Sequence, residues 1–162
     1  FFTVGALVQA NFGRRPQLRI DGVPVGREIT TWTPERGKTK SMLAAIATDA
    51  PLIPSQLYRV CKRVGLGMAR TGAISTHGSG DLVLAFANGK RMARYGSANE
   101  RAAMLSDRWL STIYQGVVEA TEEAILNSLT MAHTMTGRDG NTIHALPLDR
   151  LVEVMRAHSR LK

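Results

Sequence analysis

Ser41 stands where a polar stretch of the chain meets a small, apolar one. Residues 27–40 (REITTWTPERGKTK) are mostly polar or charged, whereas residues 41–50 (SMLAAIATDA) have the composition of a buried strand. A serine hydroxyl is a poor nucleophile unless a base adjoins it. If the Lys40–Ser41 bond is cut, Ser41 gains an α-amine with an ordinary pKa of about 8, which can act as the base for its own hydroxyl. Position alone leaves a second interpretation open, because a serine before a strand is commonly just the start of that strand.

Two glycine-containing segments match phosphate-binding motifs only in part. Gly37-Lys38-Thr39 resembles the end of a P-loop, but Trp32 occupies the position of the first glycine. Gly65 and Gly67 begin like a dinucleotide-binding fingerprint, but Arg70 stands where the third glycine belongs. Neither segment therefore predicts a nucleotide site.

The histidines and the cysteine do not predict a metal site or a second nucleophile. The four histidines, at positions 77, 133, 144 and 158, lack metal-ligand spacing, and we expect neither a metal nor a cofactor. Cys61 lies on the apolar side of a predicted helix, which favours a role in the core. A triad of Ser79, His77 and Asp81 can be written, but residues so close in the chain rarely face one another productively.

The composition is that of one globular domain. The chain has 162 residues, of which 44% are hydrophobic, 6% aromatic and 21% charged, which excludes collagen-like, coiled-coil and disordered classes. Its single cysteine excludes an internal disulfide. No apolar run approaches the ~20 residues of a membrane helix, and no basic-then-apolar leader follows Phe1. We expect no membrane association, a cytoplasmic location, and a processed chain or a fragment, since Phe1 is not an initiator methionine.

The net charge of +8 raises the possibility of a nucleic-acid-binding module. Basic residues outnumber acidic ones by seven to three in 1–40 and again in 41–100, but the two kinds are equal, at seven each, in 101–162. The excess is thus thin and dispersed, and aromatic residues do not interleave with it as a base-stacking surface requires. We expect no nucleic-acid partner, and keep the binding module as an alternative.

The hydrophobic pattern predicts a mixed α/β fold with the order β-β-loop-β-α-β-α-α. The nearly all-apolar strands imply a sheet covered on both faces and an outer layer of helices, so a layered sandwich is favoured. Ser97 and Glu100 have the spacing of a helical capping box. The predicted elements are strands at 1–11, around Leu18 and Ile20, at 41–50 and at 81–87, and helices from Pro54 to about Gly72, from Ser106 to about Thr136 ended by Gly137, and from Pro147 onward.

Four segments of the chain resemble one family of enzymes. They are VGALVQANFG at 4–13, SMLAAIATDAPLIPSQLYRV at 41–60, ARTGAISTHGSGDLVLAFA at 69–87 and EATEEAILNSLTMAHTMTGRDGNTIHALPLDRL at 119–151. In this order they are similar to the self-processing L-aminopeptidase/D-esterase family, which includes D-aminopeptidases and β-peptidyl aminopeptidases. The resemblance implies a precursor cut before Ser41 and a four-layer α-β-β-α sandwich of the N-terminal-nucleophile type. Residues 1–40 would then end the larger segment and residues 41–162 form the smaller one, both within a single domain.

The resemblance also assigns roles to individual residues. Ser41 matches the nucleophile, and Asn11 matches the asparagine whose amide helps to bind the tetrahedral oxyanion. Ser79 matches a second serine that orients the nucleophile and its amine. Asp81 occupies a position where the best-known members have glutamate, so its carboxylate reaches one methylene less far. Lys40, before the cut, is bulkier than the residue we expect there.

The function implied is an aminopeptidase that cleaves amides or esters of small N-terminal residues (D-Ala, Gly or β-amino acids) through an acyl-enzyme. The implied partners are a small peptide or amide substrate, the upstream segment of the same precursor, which supplies an active-site tyrosine, and further copies in a tetramer of processed units. One alternative is acyl transfer as in the ornithine acetyltransferases. These share the architecture but use threonine, so Ser41 is evidence against that alternative.

Overall fold

The computed structural model describes residues 1–31, 41–89 and 104–161. Lys40 and the capping-box pair Ser97 and Glu100 lie outside the described residues. The strands are β1 (Val4–Ala10), β2 (Met42–Thr48), β3 (Leu82–Ala87), β4 (Met135–Thr136) and β5 (Thr142–Ile143). The helices are α1 (Val25–Glu28), α2 (Pro54–Arg70), α3 (Leu110–Thr130) and α4 (Leu148–Ala157).

The main sheet contains three strands with β2 in the centre. β1 pairs with β2 in antiparallel fashion, from Val4 opposite Thr48 to Ala10 opposite Met42. β3 pairs with β2 in parallel, from Leu43 beside Leu82 onward, and α2 provides the crossover that parallel neighbours require. Because β1 precedes Ser41 and β2 follows it, both segments predicted from the sequence contribute to this one sheet.

Helices α2 and α3 cover one face of the sheet and enclose the main core. Helices α2 and α3 contact each other. In addition, α3 contacts β1 and α2 contacts β3. The buried positions of β2 include the small side chain of Ala44, which lets the helices approach the sheet closely. The most buried side chains of this core are those of Met42, Ile46, Val60, Val64, Leu110, Val117 and Ile125.

Gly67 sets the distance between α2 and α3. A Cβ placed on it would lie 2.7 Å from both the Thr121 Cβ and the Val118 carbonyl oxygen, so only hydrogen fits there. The Thr121 side chain is fully buried at this crossing. The two helices therefore pack with glycine against threonine, and any larger residue at 67 would push them apart.

A second, smaller cluster joins α4 to the segment that follows β1. Val25 and Ile29 pack with Val154 and Met155. At the rim of the cluster, His158 Nε2 lies 2.6 Å from Glu28 Oε1. The C-terminal helix thus fixes the end of the chain to the residues that lead toward position 31.

The opposite face of the main sheet is open in the part of the chain that the structure describes. Its side chains alternate with the buried ones along each strand, as a sheet requires, and all of them except Gln9 are apolar. The large exposed side chains on this face are Leu7, Leu43, Leu82, Leu84 and Phe86. The sequence predicted a sheet covered on both faces, and residues 1–31, 41–89 and 104–161 supply the cover of one face.

The predicted second strand, at Leu18 and Ile20, is wrong. The chain reverses at Asp21 and Gly22, both of which have left-handed backbones (φ 47° and 77°), and Ile20 forms a single bridge with Val23. The apolar side chains of Leu18 and Ile20 instead pack against the small cluster that includes α4.

The helix predicted from Ser106 to about Thr136 is too long at both ends. It begins at Leu110 after a single 3₁₀ turn (Asp107–Trp109) and ends at Thr130. The Thr130 hydroxyl bonds back to the Leu126 carbonyl, 3.1 Å away, and the following residues are exposed. Gly137 does not end the helix. It lies in the β4–β5 hairpin, which the sequence did not predict, where its N–H donates to the Asn141 carbonyl (2.8 Å).

None of the described helices has the length and apolarity needed to span a membrane.

Candidate active site

The register of the strands brings three segments that contain predicted site residues to one end of the main sheet. Ala10 lies opposite Met42, and Leu43 lies beside Leu82. Continued by one residue in the first case and by two in the second, these pairings place Asn11 on one flank of Ser41 and Gly80 on the other. Residues far apart in the chain thus converge, because the end of β1 lies beside the beginnings of β2 and β3.

The Ser41 hydroxyl is held by a backbone donor. Its Oγ accepts a hydrogen bond from the Gly80 N–H, at 2.9 Å. A Cβ on Gly80 would lie 3.4 Å from the same oxygen, in van der Waals contact with it. Ser41 is partly buried. An N–H directed at this oxygen stabilises negative charge as the hydroxyl loses its proton.

One oxygen of Asp81 links the strand that follows Ser41 to Ser79. Asp81 Oδ1 accepts from the Met42 N–H at 2.9 Å and from the Ser79 hydroxyl at 2.8 Å. The aspartate therefore reaches both groups despite its shorter side chain, and the carboxylate lies beside the first peptide after Ser41. A negative charge here is well placed to stabilise a protonated amine on Ser41.

Ser79 lies in the loop between α2 and β3, and this loop is fastened to the segment after β1. The Ser79 N–H donates to the Thr76 carbonyl at 2.7 Å, and the Arg19 N–H donates to the Thr71 carbonyl at 3.1 Å. Gly72 has φ +96°, and a Cβ on it would lie 1.7 Å from the Gln17 carbonyl oxygen. Only glycine fits this close approach, which fixes the loop that carries Ser79.

Asn11 directly follows β1 and is exposed. Its place beside Ser41 is the one that an oxyanion donor would require, because the carbonyl attacked by the hydroxyl must lie next to both residues. The structure therefore brings Asn11, Ser41, Ser79 and Asp81 together at one end of the sheet. Their catalytic roles stay predictions.

The other candidate residues have environments unlike that of Ser41. His77 is exposed in the loop before Ser79. Cys61 is half-buried on α2, and desolvation raises the pKa of its thiol above the ordinary value. A thiol with a raised pKa remains protonated at neutral pH and is a weak nucleophile. No group of three or more potential metal ligands occurs within residues 1–31, 41–89 and 104–161.

The Gly80 N–H and the Met42 N–H are parts of the site that were not predicted from the sequence. Both are backbone groups, so residue type gives no sign of them. The Gly78-Ser79-Gly80 segment before a strand was a signal for a close backbone approach, but only the register with β2 shows which atom it approaches.

Comparison with known proteins identifies the family of this chain. Residues 1–143 match the sequence model of peptidase family S58. The β-peptidyl aminopeptidase BapA of Sphingosinicella microcystinivorans is 40% identical in an alignment 177 residues long, which covers 99% of this chain and 44% of that protein.

Two solved structures are also similar. The PH0078 protein from Pyrococcus horikoshii has a TM-score of 0.90 and 47% identity, over 99% of this chain and 44% of its own. The L-aminopeptidase D-Ala-esterase/amidase from Ochrobactrum anthropi has a TM-score of 0.89 and 37% identity, over 99% and 45%. That enzyme is described as a prototype serine aminopeptidase and a new variant of the Ntn hydrolase fold. The chain spans less than half the length of these relatives. It belongs to peptidase family S58, and its layers are part of the Ntn hydrolase fold.

Proposed function

We propose that this chain carries the nucleophile of a self-cleaving N-terminal serine aminopeptidase. The observation that supports this most is the pair of contacts on either side of Ser41. Gly80 donates to its hydroxyl, and Asp81 accepts from the N–H of the next residue. Family membership supports the same reaction, because two of the three relatives named above are aminopeptidases.

Self-cleavage would use the hydroxyl before the amine exists. The Ser41 Oγ attacks the carbonyl carbon of Lys40, and the C–N bond to Ser41 breaks as its nitrogen takes up the proton. The product is an ester between Lys40 and the Ser41 hydroxyl. Water hydrolyses that ester, which leaves a carboxylate on Lys40 and an amine on Ser41.

The mature site would repeat this chemistry on a substrate. The Ser41 amine takes the hydroxyl proton while Oγ attacks the substrate carbonyl, and the Asn11 amide donates to the oxyanion. The proton passes to the leaving amine or alcohol, and an acyl-enzyme remains. Water, deprotonated by the same amine, releases the acyl group. Asp81 balances the charge of the ammonium formed in each half-reaction, and Ser79 orients that carboxylate.

The substrates we propose are amides or esters of small N-terminal residues: D-Ala, Gly or β-amino acids. Similarity to a β-peptidyl aminopeptidase and to an L-aminopeptidase D-Ala-esterase/amidase supports this class.

We also propose that a further part of the same precursor covers the open sheet face. More than half the length of the relatives lies outside the matched region, and an apolar face of this extent is seldom left exposed in a soluble protein. The active unit would contain both parts and assemble into a tetramer of processed units.

The test is hydrolysis of glycine, D-alanine and β-alanine p-nitroanilides by the complete protein and its Ser41→Ala variant. We expect release of nitroaniline by the wild type and a loss of at least ~10³-fold in the variant. Ser128→Ala is the matched control, because Ser128 lies on α3 and its hydroxyl donates within that helix, to the Ile125 carbonyl (2.7 Å). Equal turnover by wild type and Ser41→Ala would contradict the proposal.

A further inference from the structure

A small cavity lies directly behind the loop that carries Ser79. It is enclosed by the segment after β1 and by the loop between α2 and β3, and its lining includes Phe12, Gln17, Met68, Thr76 and Ser79. Its volume is about 10 Å³, close to the ~10–15 Å³ that one internal water requires. The cavity is distinct from the open sheet face, where Leu7, Leu43 and Leu82 line a shallow apolar depression.

Two side-chain oxygens on the lining of this cavity are buried and have no hydrogen-bond partner among the described residues. They are Gln17 Oε1 and Thr76 Oγ1. A buried amide or hydroxyl oxygen without a partner is unfavourable, because it has lost its hydrogen bonds to solvent. The two atoms come from the two segments that the cavity separates, so one small polar molecule can satisfy both.

We propose that this cavity is a binding site for one internal water. The water donates one hydrogen to Gln17 Oε1 and forms a second hydrogen bond with Thr76 Oγ1, which can donate or accept. The volume matches one water, and the two oxygens supply polar partners that a water requires. A larger ligand would not fit, and an apolar atom would leave both oxygens unsatisfied.

The water would join the two segments that carry predicted site residues. Gln17 follows Asn11 by six residues, and Thr76 accepts a backbone hydrogen bond from Ser79. Backbone contacts at Thr71 and Gly72 already join these segments. Those contacts lie at the end of the loop that follows α2, away from Ser79. We infer that Gln17 and Thr76 are positioning residues that act through Ser79. This part rests on the proposed function.

Thr121 provides a matched control for Thr76. Its hydroxyl is also buried without a partner among the described residues. It lies at the crossing of α2 and α3 against Gly67, in van der Waals contact rather than beside a polar cavity. Loss of its hydroxyl should therefore leave the site unchanged.

The direct test is a crystal structure of the complete protein at a resolution that shows ordered waters. We expect one peak of water density within hydrogen-bond distance of both Gln17 Oε1 and Thr76 Oγ1. An empty cavity, or a Gln17 amide bonded directly to the Thr76 hydroxyl, would overturn the proposal. This readout does not depend on activity, so it separates a failure here from a failure of the proposed function.

Kinetics test the positioning role. We expect Thr76→Val and Gln17→Met to lower kcat about 10-fold with little change in KM, because a displaced Ser79 affects the reacting groups rather than substrate contacts. Thr76→Ser, which keeps the hydroxyl, should restore kcat, and Thr121→Val should match the wild type. Wild-type kcat in Thr76→Val, or a loss in Thr76→Ser equal to that in Thr76→Val, would refute the role.

Discussion

Asp81 Oδ1 lies 2.9 Å from the backbone nitrogen of Met42, the residue that follows the candidate nucleophile. The same oxygen accepts the Ser79 hydroxyl. The contact fixes the start of β2. Under the proposed function the same carboxylate also places a negative charge near the nitrogen of Ser41, the residue before Met42.

Removal of the Asp81 carboxylate should therefore impair both folding and catalysis. Asp81→Ala leaves the Met42 N–H and the Ser79 hydroxyl without this acceptor, and we expect a loss of ~1–3 kcal/mol in the free energy of unfolding. Asp81→Asn keeps an acceptor oxygen but not the charge. We expect near-normal stability and at least a ~10-fold lower kcat, measured by chemical denaturation and p-nitroanilide hydrolysis. Full activity in Asp81→Asn would show that the charge is not needed.

Alanine substitutions at the two glycines of α2 should change the stability of the protein in opposite directions. Gly67→Ala places a methyl group 2.7 Å from the Thr121 Cβ, and we expect a destabilisation of ~1–3 kcal/mol from overpacking. A methyl group on Gly65 would meet no atom within 4 Å, so Gly65→Ala should stabilise by ~0.5–1 kcal/mol through helix propensity. Thermal denaturation of both variants tests this. Equal shifts would contradict the close packing of α2 and α3.

The open sheet face should tolerate charge much less than an ordinary exposed surface. Leu84 on β3 is 63% exposed in this structure and Leu66 on α2 is 57% exposed. If a further part of the precursor covers the sheet, Leu84→Arg buries a charge in the complete protein, whereas Leu66→Arg does not. We expect Leu84→Arg to reduce soluble yield and peptide hydrolysis and Leu66→Arg to leave both unchanged. Similar behaviour of the two variants would mean that the face is not covered.

Cys61 should react slowly with thiol reagents. Desolvation raises the pKa of its thiol, so a smaller fraction is thiolate at pH 8 than in an unperturbed cysteine. Because the raised value belongs to the folded state, its contribution to stability is present below the unfolded pKa and is lost as pH rises through the folded one. Iodoacetamide labelling from pH 7 to pH 10, followed by mass spectrometry, should show a rate midpoint above that of the urea-unfolded chain. A midpoint at or below that of the unfolded chain would contradict this.

Much of the fold could be predicted from the sequence where one pattern dominates. The apolar run after Ser41 predicted β2, and the spacing of Val60, Val64 and Met68 predicted α2. The end of α3 could not be predicted, because Thr130 is polar but helix-compatible and the following hairpin depends on backbone contacts around Gly137. The strand predicted at Leu18 failed because two left-handed residues reverse the chain there.

The site was predictable in its residue types but not in its geometry. Ser41 followed from its position and from the family resemblance, whereas Asn11 and the roles of Ser79 and Asp81 followed from the resemblance. The parallel pairing of β2 with β3 determines that Gly80 donates to Ser41, and no local pattern specifies the register of distant strands. The same reason hides the cavity at Gln17 and Thr76, which exists only where two segments meet.

Intact mass and N-terminal sequencing of the purified complete protein test the role of Ser41 most directly. We predict a fragment whose first residue is Ser41 in the wild type, and an uncut chain in Ser41→Ala that had identical handling. A wild type that stays whole after prolonged incubation, or a Ser41→Ala chain cut at the same bond, would contradict that role.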